Sequence, residues 1–235
     1  MITLLLLVII VLQLCYISTF KTGVSKFGKS ESKINGFSDK KDNYTLPVVR
    51  QNLVTSYEAK YIIDKASESF KDSEIIAGYD TSIRKSQTTW IYRCDPVVGP
   101  IIKRLCEQNG VPLENAEPLQ VVKYKPGGFY NDHHDACCED DSKCKEFIKD
   151  GGQRVLTILI YLNDSFEGGA TKFTELDTEI KAPIYGGIIF HPLAEGTNQC
   201  HPLGLHRGMP ITSGTKYVCN LWIREGEYPN ANKKC

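Results

Sequence analysis

Arg154–Leu162, RVLTILIYL, limits the fold more than any other stretch of this chain. It is β-branched and apolar at odd and even positions alike, so neither of its faces suits water. A strand of that kind is central, in a sheet covered on both sides. Gly187–His191 and Lys216–Arg224 read as two further strands, and Glu167-Gly-Gly169 turns the chain into another at Ala170–Phe173. Upstream the apolar period is helical. Thr55-Ser-Tyr-Glu58 has the spacing of a capping box, and Ile62, Ala66 and Phe70 continue it as one stripe, which predicts a helix of roughly four turns. Asp95-Pro96 has the chemistry of a second helix start, followed by Ile101, Ile102, Leu105 and Cys106 and a stop at Asn109-Gly110. Asp72–Thr89 is polar and reads as a loop or short hairpin. Helices first and strands after predict an α+β fold, a β-sheet core carrying helices on one side.

The 235 residues suit one globular domain with appendages. With 28 basic and 28 acidic side chains, net charge gives no case for a nucleic-acid binder or a general membrane-surface binder. The first 20 residues differ in kind. Ile2–Phe20 is 19 residues without a charge, about the length that spans a bilayer. Lacking a basic start and a clear small-residue cleavage site, it reads as a signal anchor, with a cleaved signal peptide as the alternative. The lysines after it (Lys21, Lys26, Lys29) disfavour a luminal domain, whereas the cysteines favour one. Eight of the nine Cys lie outside the apolar run, a density expected of an oxidising compartment. Asn43-Tyr-Thr45 and Asn163-Asp-Ser165 are glycosylation sequons compatible with it. We therefore expect a secretory-pathway protein, held in the endoplasmic reticulum membrane with a luminal domain, or secreted if the N-terminus is cleaved. Residues 21–43 read as a flexible stalk, 44–114 as the helical part of a domain, 115–226 as its core and 227–235 as a tail. The Cys137, Cys138, Cys144 cluster lacks a C-x-x-C pair and reads as disulfide chemistry, with at least one bridge involving one of the three and the connectivity open.

Two places carry chemistry. In KYKPGGFYNDHHD, His133 and Asp135 are two residues apart, so on an extended backbone they share a face while His134 points away. An imidazole and a carboxylate so placed, completed by a distant His, form a facial triad with open positions for Fe(II) chemistry. In the last strand, alternation puts Tyr217, Cys219, Leu221 and Ile223 on a plain core face. The opposite face carries Lys216, Val218, Asn220 and Trp222. A lysine there needs an anionic partner, or else sits at the solvent rim.

His206 precedes Lys216 by ten residues in HRGMPITSGTK, across a Pro-Ile-Thr-Ser-Gly turn. At this point the chain resembles the Fe(II)/2-oxoglutarate dioxygenases and, within them, the prolyl 4-hydroxylase catalytic domain. The matching pieces begin with EPLQVVKY at 117–124, Y-x5-Y-x2-H-x-D at 124–135, GGQR at 151–154 and YLN at 161–163. They continue with E-G-G-A-T-x-F at 167–173, L-H-x3-P-I-x2-G-x-K at 205–216 and WIR at 222–224. Their order along the chain is far more specific than any one of them.

The resemblance implies a double-stranded β-helix (jelly-roll) with N-terminal helices packed on the larger sheet. It implies His133, Asp135 and His206 as iron ligands, and Lys216 as partner of the distal carboxylate of 2-oxoglutarate. Tyr124 and Thr171 match positions that also contact that cosubstrate. Tyr130, Arg154 and Trp222 match positions near a peptide, and Glu117 falls beside them. His201, the rival to His206, lacks the ten-residue spacing to the lysine and, like His191, precedes Pro. The implied activity is hydroxylation of peptidyl proline at C4 with Fe(II), 2-oxoglutarate and O2, releasing succinate and CO2, with L-ascorbate as reductant. The implied partner is a proline-containing, collagen-like or proline-rich peptide. The alternatives are a 2-oxoglutarate oxygenase of another residue or small molecule, and a silent binding domain of the same fold. Gly128, Ala136, Ala170 and Arg224 depart from residues common in relatives at those positions. None of them is a ligand, so they bear on the peptide rather than the reaction.

Overall fold

The doubly apolar strand lies where its composition requires. In the computed structural model it is β9 (Arg154–Tyr161), third in a seven-stranded sheet. The sheet runs β3 (Val48–Arg50), β13 (Gly187–Phe190), β9, β16 (Lys216–Arg224), β7 (Leu119–Tyr124), β6 (Gln87–Ile91) and β4 (Lys71–Asp72). Its neighbours pair antiparallel, as in Leu221 opposite Ile158 and Val218 opposite Val122. The smaller sheet runs β12 (Thr178–Ile180), β11 (Thr171–Phe173), β14 (His206–Gly208), β8 (Phe129–His133) and β5 (Arg84–Lys85). A separate pair joins β10 (Phe166–Gly168) to β15 (Ile211–Gly214), so the PITSG segment expected as a turn is largely a strand. The structure describes residues 40–41, 43–75, 80–232 and 235; the expected anchor at Ile2–Phe20 and nearly all of the expected stalk lie outside them. Among the described residues no helix is long and apolar enough to cross a membrane.

Two hydrophobic cores flank the larger sheet. On its outer side Leu156, Ile158, Ile160, Cys219, Leu221 and Ile223 pack with Ala59, Ile62 and Ala66 of one helix and Ile101, Ile102 and Leu105 of another. On its inner side Val122, Leu159, Tyr161 and Val218 meet Phe173, Phe190 and Ile211. The expected arrangement, a double-stranded β-helix with helices on its larger sheet, is the one observed.

The helices begin as their sequences require. Thr55 and Glu58 form the capping box, and the helix spans Ser56–Ser67, leaving Phe70 just beyond it. The second spans Val98–Asn109, starting later than Asp95-Pro96 suggests. Asp95 still acts as the cap, its carboxylate accepting from the Val97 and Val98 amides at 2.9 Å, and Gly110 closes the helix in the left-handed conformation.

Three segments are more ordered than their polar sequences suggest. Asp72–Thr89, expected as a loop or short hairpin, has its ends paired antiparallel, Asp72 opposite Gln87, and Gln87–Ile91 continues into the larger sheet beside β7; its polar residues hide the strand because Ser73, Ser86 and Thr88 satisfy one another by hydroxyl hydrogen bonds. Ala136–Gly152 contains a helix, Ser142–Ile148, capped by Asp141. The residues expected as a tail fold back, with Pro229–Asn232 helical, Ala231 buried and Cys235 bonded to Cys94. Among the described residues Cys137–Cys144 and Cys138–Cys200 are the other disulfides, and Cys106 and Cys219 remain buried thiols. The Asn163 side chain donates to the Thr215 carbonyl and accepts from the Tyr217 amide, so this sequon serves as a staple between strands.

Candidate active site

His206 of β14 lies directly opposite His133 of β8 in the antiparallel register, and the two ring centroids are 4.3 Å apart. Asp135 follows two residues after the end of its strand had been reached at His133. One ligand atom from each of the three lies within 4.8 Å of the others. The pairing of strands 73 residues apart in sequence (206 − 133) is what makes a site from two weak motifs.

The orientation of each donor is set by a second partner. His133 Nδ1 donates to the Asn131 carbonyl at 2.8 Å and His206 Nδ1 to the Gly204 carbonyl at 3.0 Å. Both Nε2 lone pairs are thereby left open, at 3.8 and 3.9 Å from the Asp135 carboxylate oxygens. Those separations are too long for hydrogen bonds. Asp135 in turn accepts from the Thr157 hydroxyl at 2.7 Å. Burial pushes the Asp135 pKa up, but the facing His206 and His133 outweigh it and hold the carboxyl below its usual range. Burial, with the charge of His206, pushes His133 down. An ionised Asp135 carboxylate beside a neutral His133 imidazole suits a divalent metal. The residues therefore fit Fe(II), with their back-bonded carbonyls and hydroxyl as the supporting shell.

Lys216 opens β16 opposite Tyr124 of β7. It is 3% exposed, and its Nζ donates to the Gly169 carbonyl at 2.6 Å. The Tyr161 ring lies 4.5 Å from the ammonium, and Tyr161 shares a 2.9 Å hydrogen bond with Thr171. Among the described residues no carboxylate is within ion-pair distance of Lys216. Burial, with the nearby Lys181 charge, lowers its pKa to about 7. Gly169, at φ +66°, has no room for a side chain: a Cβ would meet Ile211 at 2.4 Å and the Lys216 stem at 3.2 Å. His133, Asp135 and His206 line one cavity of about 280 Å³ together with Lys216, Tyr124 and Thr171.

The same cavity is lined by Tyr130, Arg154 and Trp222. Tyr130 stacks on the His133 ring at 3.6 Å, so it is neither solvent-facing nor plain core. The Arg154 guanidinium lies 3.4 Å over the Trp222 ring. Glu117 is placed differently from the expectation that it meets the peptide. It is buried behind the cavity wall, accepting from Arg154 at 2.6 and 2.8 Å and from Arg224 at 2.8 Å. Two guanidiniums draw the carboxylate inward and hold its pKa down against the opposing effect of burial. Glu117 thus positions Arg154.

The chain matches the description "2OG-Fe(II) oxygenase superfamily" over residues 119–224. It is 46% identical over 187 residues to a putative prolyl 4-hydroxylase of Acanthamoeba polyphaga mimivirus, covering 80% of this chain and 77% of that one. The chain belongs to the 2OG-Fe(II) oxygenase superfamily. Among its relatives, this oxygenase is 29% identical to prolyl 4-hydroxylase 1 of Arabidopsis thaliana, over 76% of its own length and 68% of the relative's. The crystal structure of a viral collagen prolyl hydroxylase from Paramecium Bursaria Chlorella virus-1, a 2OG complex, superposes with a TM-score of 0.62 at 29% identity, covering 80% and 99% of the two chains. A Trichoplax adhaerens prolyl hydroxylase shares the fold at 17% identity and TM-score 0.56, covering 76% and 83%.

Other site residues of the oxygenase escaped the sequence reading. Arg84, buried with its guanidinium 4.5 Å over Tyr130, sits in the stretch read as a loop or short hairpin. Thr157 and Tyr161 belong to a strand whose apolar character drew attention from its inner face; period two from Leu159 would have found both. His134 also lines this cavity but is not one of the three clustered donors, and its Nδ1 is buried without a hydrogen-bond partner. It lies near Cys138 and Cys200, but their sulfurs are committed to a disulfide. His201 stacks on Tyr44 at 4.6 Å, consistent with a role in loop structure.

Proposed function

We infer that the chain hydroxylates peptidyl proline at C4. The observation that carries this is the 46% identity to a putative prolyl 4-hydroxylase across four-fifths of the chain; the donor cluster and the solitary lysine in one cavity agree with it. His133 Nε2, Asp135 and His206 Nε2 would hold Fe(II), and Lys216 would hold the distal carboxylate of 2-oxoglutarate. When bound, the two supply O2 activation, one oxygen atom passing to proline C4 and the other to succinate as CO2 leaves.

The protein's own contribution is placement. The Nδ1–H bonds fix the histidine tautomers and Thr157 fixes the Asp135 carboxylate. The Tyr124, Tyr161 and Phe166 rings around Lys216 keep water from its ammonium, so a carboxylate there meets a nearly unscreened charge. Trp222 Nε1 is buried without an acceptor, a donor suited to a peptide carbonyl. Arg154, clamped by Glu117, holds that indole from its face.

Ascorbate as the reductant of oxidised iron belongs to the same reading, as does a secretory location with Ile2–Phe20 as anchor or signal, which the three disulfides support. Membrane fractionation and glycosidase treatment of the expressed full chain test the location. For the reaction, the purified protein with Fe(II), 2-oxoglutarate and ascorbate should release succinate in proportion to a proline-rich peptide and leave 4-hydroxyproline in it. Succinate release that ignores the peptide, or an oxygen found on lysine, would replace this reading.

A further inference from the structure

His134 has no part in the proposed reaction. It stands between His133 and Asp135 in the chain, yet it belongs to a second donor cluster. One of its ring nitrogens and the Cys138 and Cys200 sulfurs all lie within 4.8 Å of one another. Its Nδ1 is buried without a hydrogen-bond partner, an orphaned atom of the kind that a ligand satisfies. Cys138 and Cys200 are joined as a disulfide, their Cα atoms 5.4 Å apart. Cys106 and Cys219 are buried thiols, whereas Cys138 is exposed and Cys200 half-buried. Both border a cavity of about 740 Å³ that His134 also lines. Four carboxylates, Glu139, Asp140, Glu175 and Glu225, share that lining, and among the described residues no lysine or arginine does. Of the four, Asp140 is paired with Lys145. Such a cavity draws cations, and an exposed disulfide is the kind that is most readily reduced.

Reduction changes what this corner can bind. A dithiol attacks one sulfur of Cys138–Cys200, forms a mixed disulfide and leaves as a cyclic disulfide. It is oxidised by two electrons, and its two protons end on the cysteines as thiols. Two thiols and an imidazole then stand within reach of one ion. A divalent metal displaces both thiol protons and is held by two thiolates and one nitrogen, with water at the fourth tetrahedral corner. Thiolates are softer ligands than the carboxylate and imidazoles of the iron triad, so the two clusters select different metals. We propose that His134, Cys138 and Cys200 form a redox-gated site for a thiophilic divalent cation such as Zn2+, closed as the disulfide and opened by a dithiol. The site goes beyond the hydroxylation reading and does not depend on it.

Co2+ tests the site, because it occupies tetrahedral zinc sites and reports thiolate ligation by a near-ultraviolet charge-transfer band. The iron triad offers no sulfur, so Co2+ bound there adds no such band. The full chain is reduced with a water-soluble phosphine, which gives the disulfide two electrons and takes an oxygen from water, and is desalted under argon before Co2+ is added. The reduced wild type should show the band and the untreated protein should not, and Zn2+ should abolish it. The double variant Cys137→Ser, Cys144→Ser lacks only the neighbouring bridge and should keep the band; Cys138→Ser, Cys200→Ser should lose it. His134→Ala keeps both thiols, and its Co2+ affinity should fall about tenfold or more, since even the outer partners of a metal site are worth that much. No band in the reduced wild type, or an equal band in Cys138→Ser, Cys200→Ser, overturns the site. Unchanged affinity in His134→Ala would remove the imidazole from it and overturn the site as stated. None of these readouts involves peptide or 2-oxoglutarate, so they stand apart from the fate of the prolyl reading.

Discussion

The two faces of β16 share one backbone and little else. Outward, Tyr217, Cys219, Leu221 and Ile223 pack on or beside the helices; inward, Lys216, Asn220 and Trp222 line the catalytic cavity. The outer face gains stability from apolar area removed from water. The inner face gives some of that up, burying an ammonium without a counter-charge and an indole N–H without an acceptor. One strand thus separates a stability face from a ligand face by the alternation of its side chains. The difference teaches that the poorly satisfied groups of this strand gather on the face that lines the cavity.

The largest effect expected is on the metal donors. His133→Ala, Asp135→Ala or His206→Ala should abolish turnover while leaving the thermal unfolding midpoint within a few degrees, because the apolar faces are untouched. Normal 2-oxoglutarate turnover by any one of them would break the assignment. Next comes the contrast within β16 itself. Lys216→Ala should raise the half-saturation for 2-oxoglutarate by the equivalent of roughly 2–5 kcal/mol with little loss of stability. Leu221→Ala, its counterpart on the outer face, should cost about 2–5 kcal/mol of stability and leave that half-saturation unchanged. If both variants moved the same quantity, the two faces would not be distinct in function.

A pH series sharpens the comparison further. Folding lowers the Lys216 pKa from its ordinary value to about 7 because of burial. Above pH 7 the unfolded chain therefore binds more protons at this residue than the native one. The stability of the ligand-free protein should rise with pH from about 7 to the unfolded lysine's value near 10, and Lys216→Met should remove that part of the slope. Binding of a dicarboxylate should weaken over the same range, since the ammonium must then be regenerated. A calorimetric titration with 2-oxoglutarate at pH 6.5 and 8.5 would show it, and pH-independent affinity would contradict a buried, uncompensated lysine. The smallest effect expected is from opening the short Cys137–Cys144 bridge. Cys144→Ser should reduce peptide-dependent turnover more than uncoupled decarboxylation of 2-oxoglutarate, because the segment that follows the bridge is tied by Arg224, through the Phe147 and Gly152 carbonyls, to Glu117 and so to Arg154. Equal losses in the two assays would detach this loop from the peptide.

Sequence alone carried the periodic part of the molecule: the capping box at Thr55, the doubly buried β9, the two unlike faces of β16, and through ordered motifs the triad and Lys216. These are readable because a helix or strand repeats its environment at a fixed local interval. The tertiary structure decided what depends on partners distant in sequence. It turned Glu117 from a peptide neighbour into a buried clamp, since only the pairing of β7 with β16 brings Arg224 to it and only β9 brings Arg154. It made a strand of Gln87–Ile91 whose hydroxyls satisfy one another, and a cavity wall of a C-terminal segment that reads as a tail. Those outcomes follow from long-range hydrogen bonds and disulfides, which leave no period in the sequence to be read.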